Sequence, residues 1–182
     1  MVDHDLLRRA KLKEKDAVEQ LLRALEPIVY KTALAYMGNQ SDALDVTQEA
    51  LYRIYMKLEL FEQNMYFYSW VYKITRNICM DIFRSRKVEI HFDAVSDHTA
   101  STHVVEEIIE ARDTHDALLR MLLQLPTQIR LIMTMRFIQN LGYEEIAHEL
   151  QIPLNTVRSS IHRGRSKLRT SYQHYEEGGI DT

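Results

Sequence analysis

Arg158, Ser159, Ser160, His162, Arg163, Arg165, Lys167 and Arg169 crowd one short stretch near the carboxy-terminal end of the chain. Cationic side chains neutralise phosphates, and arginine, histidine and short hydroxyls also reach base edges, so this mixture suits a reader of duplex DNA. A second set, Tyr68, Trp70, Lys73, Arg76, Asn77 and Arg84, joins cations and an amide to aromatic rings that stack on bases, as single-stranded nucleic acid binding requires. A third, Asp45, Gln48, Glu49, Tyr52 and Met56, recurs at helical spacing and makes an acidic-polar row. Such a row is a docking surface for a basic partner or a plain solvated face. No set supports catalysis. The chain has no Gly-rich phosphate loop, His148-Glu149 lacks the second histidine of a metal motif, and the lone Cys79 falls mid-helix, where it reads as packing. No cofactor, metal site or small-molecule substrate is expected.

The elements that must hold these residues are helices. Glycines number five and prolines three, and β-branched residues rarely alternate with polar ones, which predicts an all-α fold. A first helix runs from Asp5 to about Leu12. A second, capped by Asp16, carries Ala17, Val18, Leu21, Leu22 and Leu25; Pro27 kinks or divides it, and Gly38-Asn39 stops it. Ser41 is the expected cap of a third helix, with Leu44, Thr47, Leu51, Ile54, Tyr55 and Leu58 as its buried face. Tyr66-Phe67-Tyr68-Ser69-Trp70 opens a long helix to about Lys87. Its core face is Phe67, Trp70, Val71, Ile74, Ile78 and Ile82, and its outer face Lys73, Arg76, Asn77, Met80, Arg84 and Lys87.

Periodicity fades from Val88 and helical pattern returns from about Val104, so a flexible acidic linker is expected over 88–112, between domains at 1–87 and 113–182. The histidines in or near it (His91, His98, His103 and His115) match no metal-ligand spacing. Beyond it, Gly142–Leu168 has the pattern of a helix-turn-helix. Tyr143, Ile146, Ala147 and Leu150 form one apolar face, with Gly142 in the cap slot. Gln151-Ile152-Pro153 breaks the pattern, Asn155 and Thr156 can cap the next helix, and Val157, Ile161 and Leu168 point inward. The polar tail after Tyr172 is expected to fray.

Net charge is −3 across 182 residues that are 46% hydrophobic, which argues against indiscriminate coating of DNA. The charge is uneven: Arg130, Arg136, Arg158, Arg163, Arg165, Lys167 and Arg169 gather downstream of Gln128, which favours localised contact. A single cysteine, no signal-peptide pattern and no long apolar run point to a cytoplasmic protein with no membrane insertion. On these residues alone, an ordinary helix-turn-helix transcriptional regulator and a protein-interaction module with an incidental basic helix both stay open.

Four motifs in order, DALDVTQEALYRIY, YSWVYKITRN…D, QLP…R and GYEEIAHELQIPLNTVRSSIHRGRSKL, resemble bacterial RNA polymerase sigma factors of the extracytoplasmic-function (ECF) class. The resemblance covers about residues 5–87 and 113–171. It implies that the first domain binds core polymerase and opens the promoter at its minus-10 element, and that the second reads the minus-35 element. Asp45, Gln48, Glu49 and Tyr52 then face the clamp helices of the largest polymerase subunit. Asn77 lines a pocket for a flipped base, and Tyr68, Trp70, Lys73, Arg76 and Arg84 serve strand opening. Asn155, Thr156, Arg158, Ser159, Ser160, His162, Arg163 and Arg165 fall on the upstream reader. The resemblance also implies an anti-sigma factor as a partner. Gly142 replaces the usual Ser cap, Asn155 a common Gly, and Ser160 a frequent basic residue; no appended regulatory domain is expected.

Overall fold

The computed structural model describes residues 2–62, 66–86 and 114–178, which are helical and, among the described residues, contain no strand. The linker expected over 88–112, with His91, His98 and His103, lies outside them. The chain divides into two compact units, Met1–Val88 and Glu89–Thr182.

In the first unit α1 spans His4–Lys11, α2 Lys15–Met37, α3 Gln40–Lys57 and α4 Phe67–Ser85, with a 3-10 turn at Leu58–Leu60. Asp3 caps α1, its carboxylate accepting from the Leu6 amide at 2.6 Å. Glu14, not Asp16, occupies the cap position of α2, and Pro27 neither divides nor ends that helix. Leu21, Leu25, Val29 and Ala33 form its buried stripe, while Pro27 is exposed on another side and sacrifices only a solvent-facing bond. From Thr32 to Met37 every side chain is buried, so the end of α2 is the centre of the unit, against α3 and α4. Gly38 stops the helix in left-handed geometry at φ 76°, as its position predicted.

Two expectations for α3 need correction. Its cap is Asn39, whose side chain accepts from the Asp42 amide at 2.9 Å, and Ser41 lies inside the first turn. The buried face is Ala43, Val46, Thr47, Ala50 and Ile54; Leu44 and Tyr55 are exposed and Leu51 is half-buried. α3 packs against α2 and α4, and its buried face mixes Ala43 and Ala50 with Val46 and Ile54, while Leu44 and Tyr55 are turned outward. The far ends of α3 and α4 are tied by Arg86, which donates two hydrogen bonds to Asp42 at 2.6 and 2.7 Å. Arg86, and Asn39 after it, hold the Asp42 carboxyl below its ordinary range.

In the second unit α5 spans Thr114–Leu123, α6 Thr127–Phe137, α7 Tyr143–Leu150 and α8 Leu154–Gly178. Leu122, Leu125, Ile129 and Met133 make a core on which Ile138 and Leu168 pack. α6 is buried from Ile129 to Met135, and the other helices gather round it. Arg130, counted above among the DNA-facing cations, is only 2% exposed; it donates to the Leu125 carbonyl and burial pushes its guanidinium down to about 10. α8 begins directly after Pro153, whose carbonyl accepts from the Thr156 amide at 2.9 Å, so Asn155 and Thr156 lie in its first turn and do not cap it. The helix also continues past Tyr172, where fraying was expected, to Gly178.

Candidate nucleic-acid and polymerase interfaces

In the second unit the two helices α7 and α8 are set by their junction. The Gly142 amide donates to the Glu145 carboxylate at 2.6 Å, which compensates for a cap residue without a side chain. Gln151 then takes left-handed geometry at φ 54°, and the Ile152 amide reaches back to the Ala147 carbonyl at 3.0 Å. That six-to-one closure ends α7 sharply and redirects the chain into α8.

α8 separates its residues cleanly. Val157, Ser160, Ile161 and Gly164 are buried, and Leu168 is half-buried. Asn155, Arg158, His162, Arg163, Arg165, Lys167 and Arg169 are exposed, with Ser159 and Thr156 partly so. Ser160 is thus removed from the predicted contact surface: at i+3 and i+4 from Val157 the helix turns Ser160 and Ile161 toward the core together. Arg163 donates to Ser159 Oγ at 3.4 Å, and Ser159 donates to the Thr156 carbonyl at 3.1 Å, so these three stand in one chain of contacts. Arg165 lies 5.3 Å from the Phe137 ring centroid, and Arg136 is spent on the Leu141 carbonyl at 2.9 Å and on the Tyr143 ring. The outward cations therefore come from α8, not from α6.

Gly164 carried no signal in the sequence beyond being a glycine inside a helix. A Cβ there would stand 2.7 Å from Met133 Sδ and 3.0 Å from Ile129 Cγ2. Close approach of α8 to α6 depends on that missing atom.

In the first unit α3 presents Asp45, Gln48 and Tyr52 to solvent, with Glu49 half-exposed and accepting from Arg53 at 2.6 Å. Tyr52 is 59% and Met56 54% exposed, and the outward Leu44 and Tyr55 widen this into a mixed apolar and acidic face. On α4, Lys73, Asn77 and Arg84 are exposed, and Arg84 pairs with Asp81 at 3.1 Å. Arg76 and Met80 are buried, contrary to their assignment to the outer face. Arg76 donates to Asn77 Oδ1 at 3.5 Å. Tyr68 and Trp70 are half-buried in an aromatic cluster with Phe61 and Phe67, Trp70 lying 5.2 Å from Phe61. Cys79 is fully buried, and burial pushes its thiol up to about 12, in keeping with packing.

The architecture is that of an all-helical DNA-binding protein with a separate helical unit ahead of its helix-turn-helix. Residues 21–88 match the family Sigma-70 region 2, and residues 115–168 match Sigma-70, region 4. The chain is 28% identical over 173 residues to the ECF RNA polymerase sigma factor SigW of Bacillus subtilis (strain 168), covering 90% of this chain and 92% of that one. It is 34% identical over 156 residues to the ECF RNA polymerase sigma factor SigE of Mycolicibacterium smegmatis, covering 83% of this chain and 60% of that one. Among solved structures it is similar in fold to CnrH in complex with the cytosolic domain of CnrY, with a TM-score of 0.52, 19% identity, and 94% and 97% of the two chains covered. It is likewise similar to the sigma factor RpoE in complex with the anti-sigma factor NepR from Bartonella quintana, with a TM-score of 0.51, 20% identity, and 90% and 98% covered. The chain belongs to the sigma-70 family, in its ECF class, and is a promoter-recognising sigma factor. Among the described residues no helix is long and apolar enough to cross a membrane.

Proposed function

We propose that this sigma factor works without chemistry of its own, in the cytoplasm, as two reading heads held on core RNA polymerase. The outer face of α3, with Asp45, Gln48, Glu49 and Tyr52, docks on the clamp helices of the largest subunit. Asn77 receives a base flipped from the downstream element, with Lys73 and Arg84 against the strand and Tyr68 and Trp70 at its stacking edge. Extruding that base costs a few kcal/mol, about what a fitted pocket returns. α8 enters the major groove of the upstream element through Arg158, Ser159, His162 and Arg163, flanked by Asn155, Thr156 and Arg165. Holding both heads on one enzyme raises their effective concentration, so neither has to bind tightly alone.

The observation that carries this is the division of α8: its cations are exposed together while Val157 and Ile161 are buried and Gly164 seats it on α6. The complexes of CnrH with the cytosolic domain of CnrY and of RpoE with the anti-sigma factor NepR support a further partner for this chain, an anti-sigma protein. Transcription by bacterial core enzyme on a genomic template, with and without the chain, tests the whole proposal. New start sites that share paired upstream and downstream elements are expected; unchanged transcripts would refute it.

A further inference from the structure

We infer that α1 is a strut for the aromatic cluster at the head of α4, and that Lys11 is its positioning residue. This rests on the proposal that Tyr68 and Trp70 act in strand opening. Phe61 closes the 3-10 turn, and Phe67 opens α4. Their rings meet edge to face at 5.2 Å, and both contact Trp70, at 5.2 and 5.9 Å. α1 grips this cluster from both of its own ends. At its carboxy-terminal end the Lys11 ammonium donates to the Phe61 carbonyl at 2.6 Å and stands 5.9 Å from the Phe61 ring centroid. Ahead of its amino-terminal end the Val2 amide donates to the Tyr68 hydroxyl at 3.0 Å. Just past Lys11, Lys13 sits 4.2 Å from the Tyr55 ring centroid and 3.5 Å from Glu59, which fixes the same end of α1 to the end of α3.

These are long-range contacts, spanning 50 residues for Lys11 and 66 for Val2. They bear on the two residues, Phe61 and Tyr68, that flank Phe67 in the cluster. A short charge-assisted bond to a half-buried carbonyl fixes the backbone of Phe61, and through it the ring against which Trp70 rests. Stacking on a base requires the ring plane to be set beforehand, because ordering it during opening would consume binding energy. Lys11 therefore acts on the promoter through Phe61 and Trp70, without touching DNA.

Trp70 is the chain's one tryptophan, so its emission reports this cluster alone. The full chain is assembled with core polymerase on a promoter it uses, and permanganate reactivity of thymines measures opening. Lys11→Met is expected to lower the opened fraction about tenfold, the scale of one charge-assisted bond, to shift Trp70 emission, and to leave core association intact. Lys11→Arg, which restores a cationic donor, is expected to recover both. Should Lys11→Met lose its fold, Lys11→Gln keeps a neutral donor and is expected to give an intermediate loss. Wild-type opening in Lys11→Met or Lys11→Gln, with the fold intact, overturns the inference. Trp70→Ala separates it from its foundation. If Trp70→Ala also opens normally, the role of the cluster in strand opening falls; if Trp70→Ala fails while Lys11→Met opens normally, only the strut falls.

Discussion

Ser160 and Arg163 stand three residues apart on α8, yet one is buried and the other faces solvent. Charge and polarity read along a sequence assign both to one surface; packing of α8 on its unit's core takes Ser160 in and leaves Arg163, at the edge of the contact, in solvent. Arg163→Ala is accordingly expected to weaken binding to a cognate upstream duplex by ~1–3 kcal/mol and to flatten the salt dependence by about one counterion. Ser160→Ala is expected to leave affinity unchanged. Anisotropy titrations across a salt series distinguish the two, and equal loss in both variants would show that the effect is folding. The same division explains Arg76 and Arg130, cations whose long stems take them into the interior. It explains Cys79 as well. With its thiol buried and pushed up to about 12, no thiolate is available near neutral pH. A disulfide reagent is expected to modify Cys79 only as fast as the first unit unfolds. Rapid stoichiometric reaction of the native chain would contradict that burial.

At the scale of elements, the sequence was most legible where chain stops are chemical. Gly38 ends α2 because only a residue without Cβ takes φ 76° at no cost, and Pro153 marks the boundary before α8 because it pushes Ile152 out of helical geometry once Gln151 has closed α7. Packing faces were less legible. Leucine and tyrosine outweigh alanine in any apolar pattern, which puts Leu44 and Tyr55 in the expected core of α3, whereas the buried face runs through Ala43 and Ala50. The clasp between Asp42 and Arg86 was invisible, since 44 residues separate its members. It has a pH signature. The Asp42 carboxyl is held below its ordinary 3.8, so its stabilising contribution is full above that value and is lost as pH falls through the lowered one. Asp42→Asn is expected to remove part of the acid-side loss of stability below about pH 4, seen as a shallower acid-denaturation curve. Gln151 tests the junction of α7 with α8. It holds φ 54°, a geometry that penalises a side chain, so Gln151→Gly is expected to stabilise the second unit by ~1 kcal/mol. A lower melting temperature would mean that the glutamine side chain makes a contact outweighing that strain.

For the whole molecule, the weak net charge of −3 and the concentration of exposed cations on α8 mean that affinity for DNA is local. On the proposal above, a chain with this balance gains promoter selectivity by being carried on a larger machine, and the surface proposed to attach it is the outer face of α3. That face is mixed: Asp45 and Gln48 are exposed among Leu44, Tyr52, Tyr55 and Met56. Apolar groups with acidic neighbours fit a partner that is basic at its rim and apolar within. Reversing the charge of Asp45 and Glu49 together tests this, because neither carboxylate is needed inside the unit. Asp45 is exposed, with a minor charge contact to Arg86, and among the described residues Glu49 engages the i+4 Arg53 in a half-exposed helical pair of small worth. Asp45→Arg with Glu49→Arg is therefore expected to leave helix content unchanged and binding of duplex DNA through α8 close to wild type. Co-purification with core polymerase, and with it promoter-directed transcription, is expected to be lost. Those outcomes belong together, since a folded reader that cannot attach has no means of concentrating its two heads on one promoter. Undiminished core association in the doubly reversed chain would place the docking surface elsewhere and leave the acidic row as a solvated face.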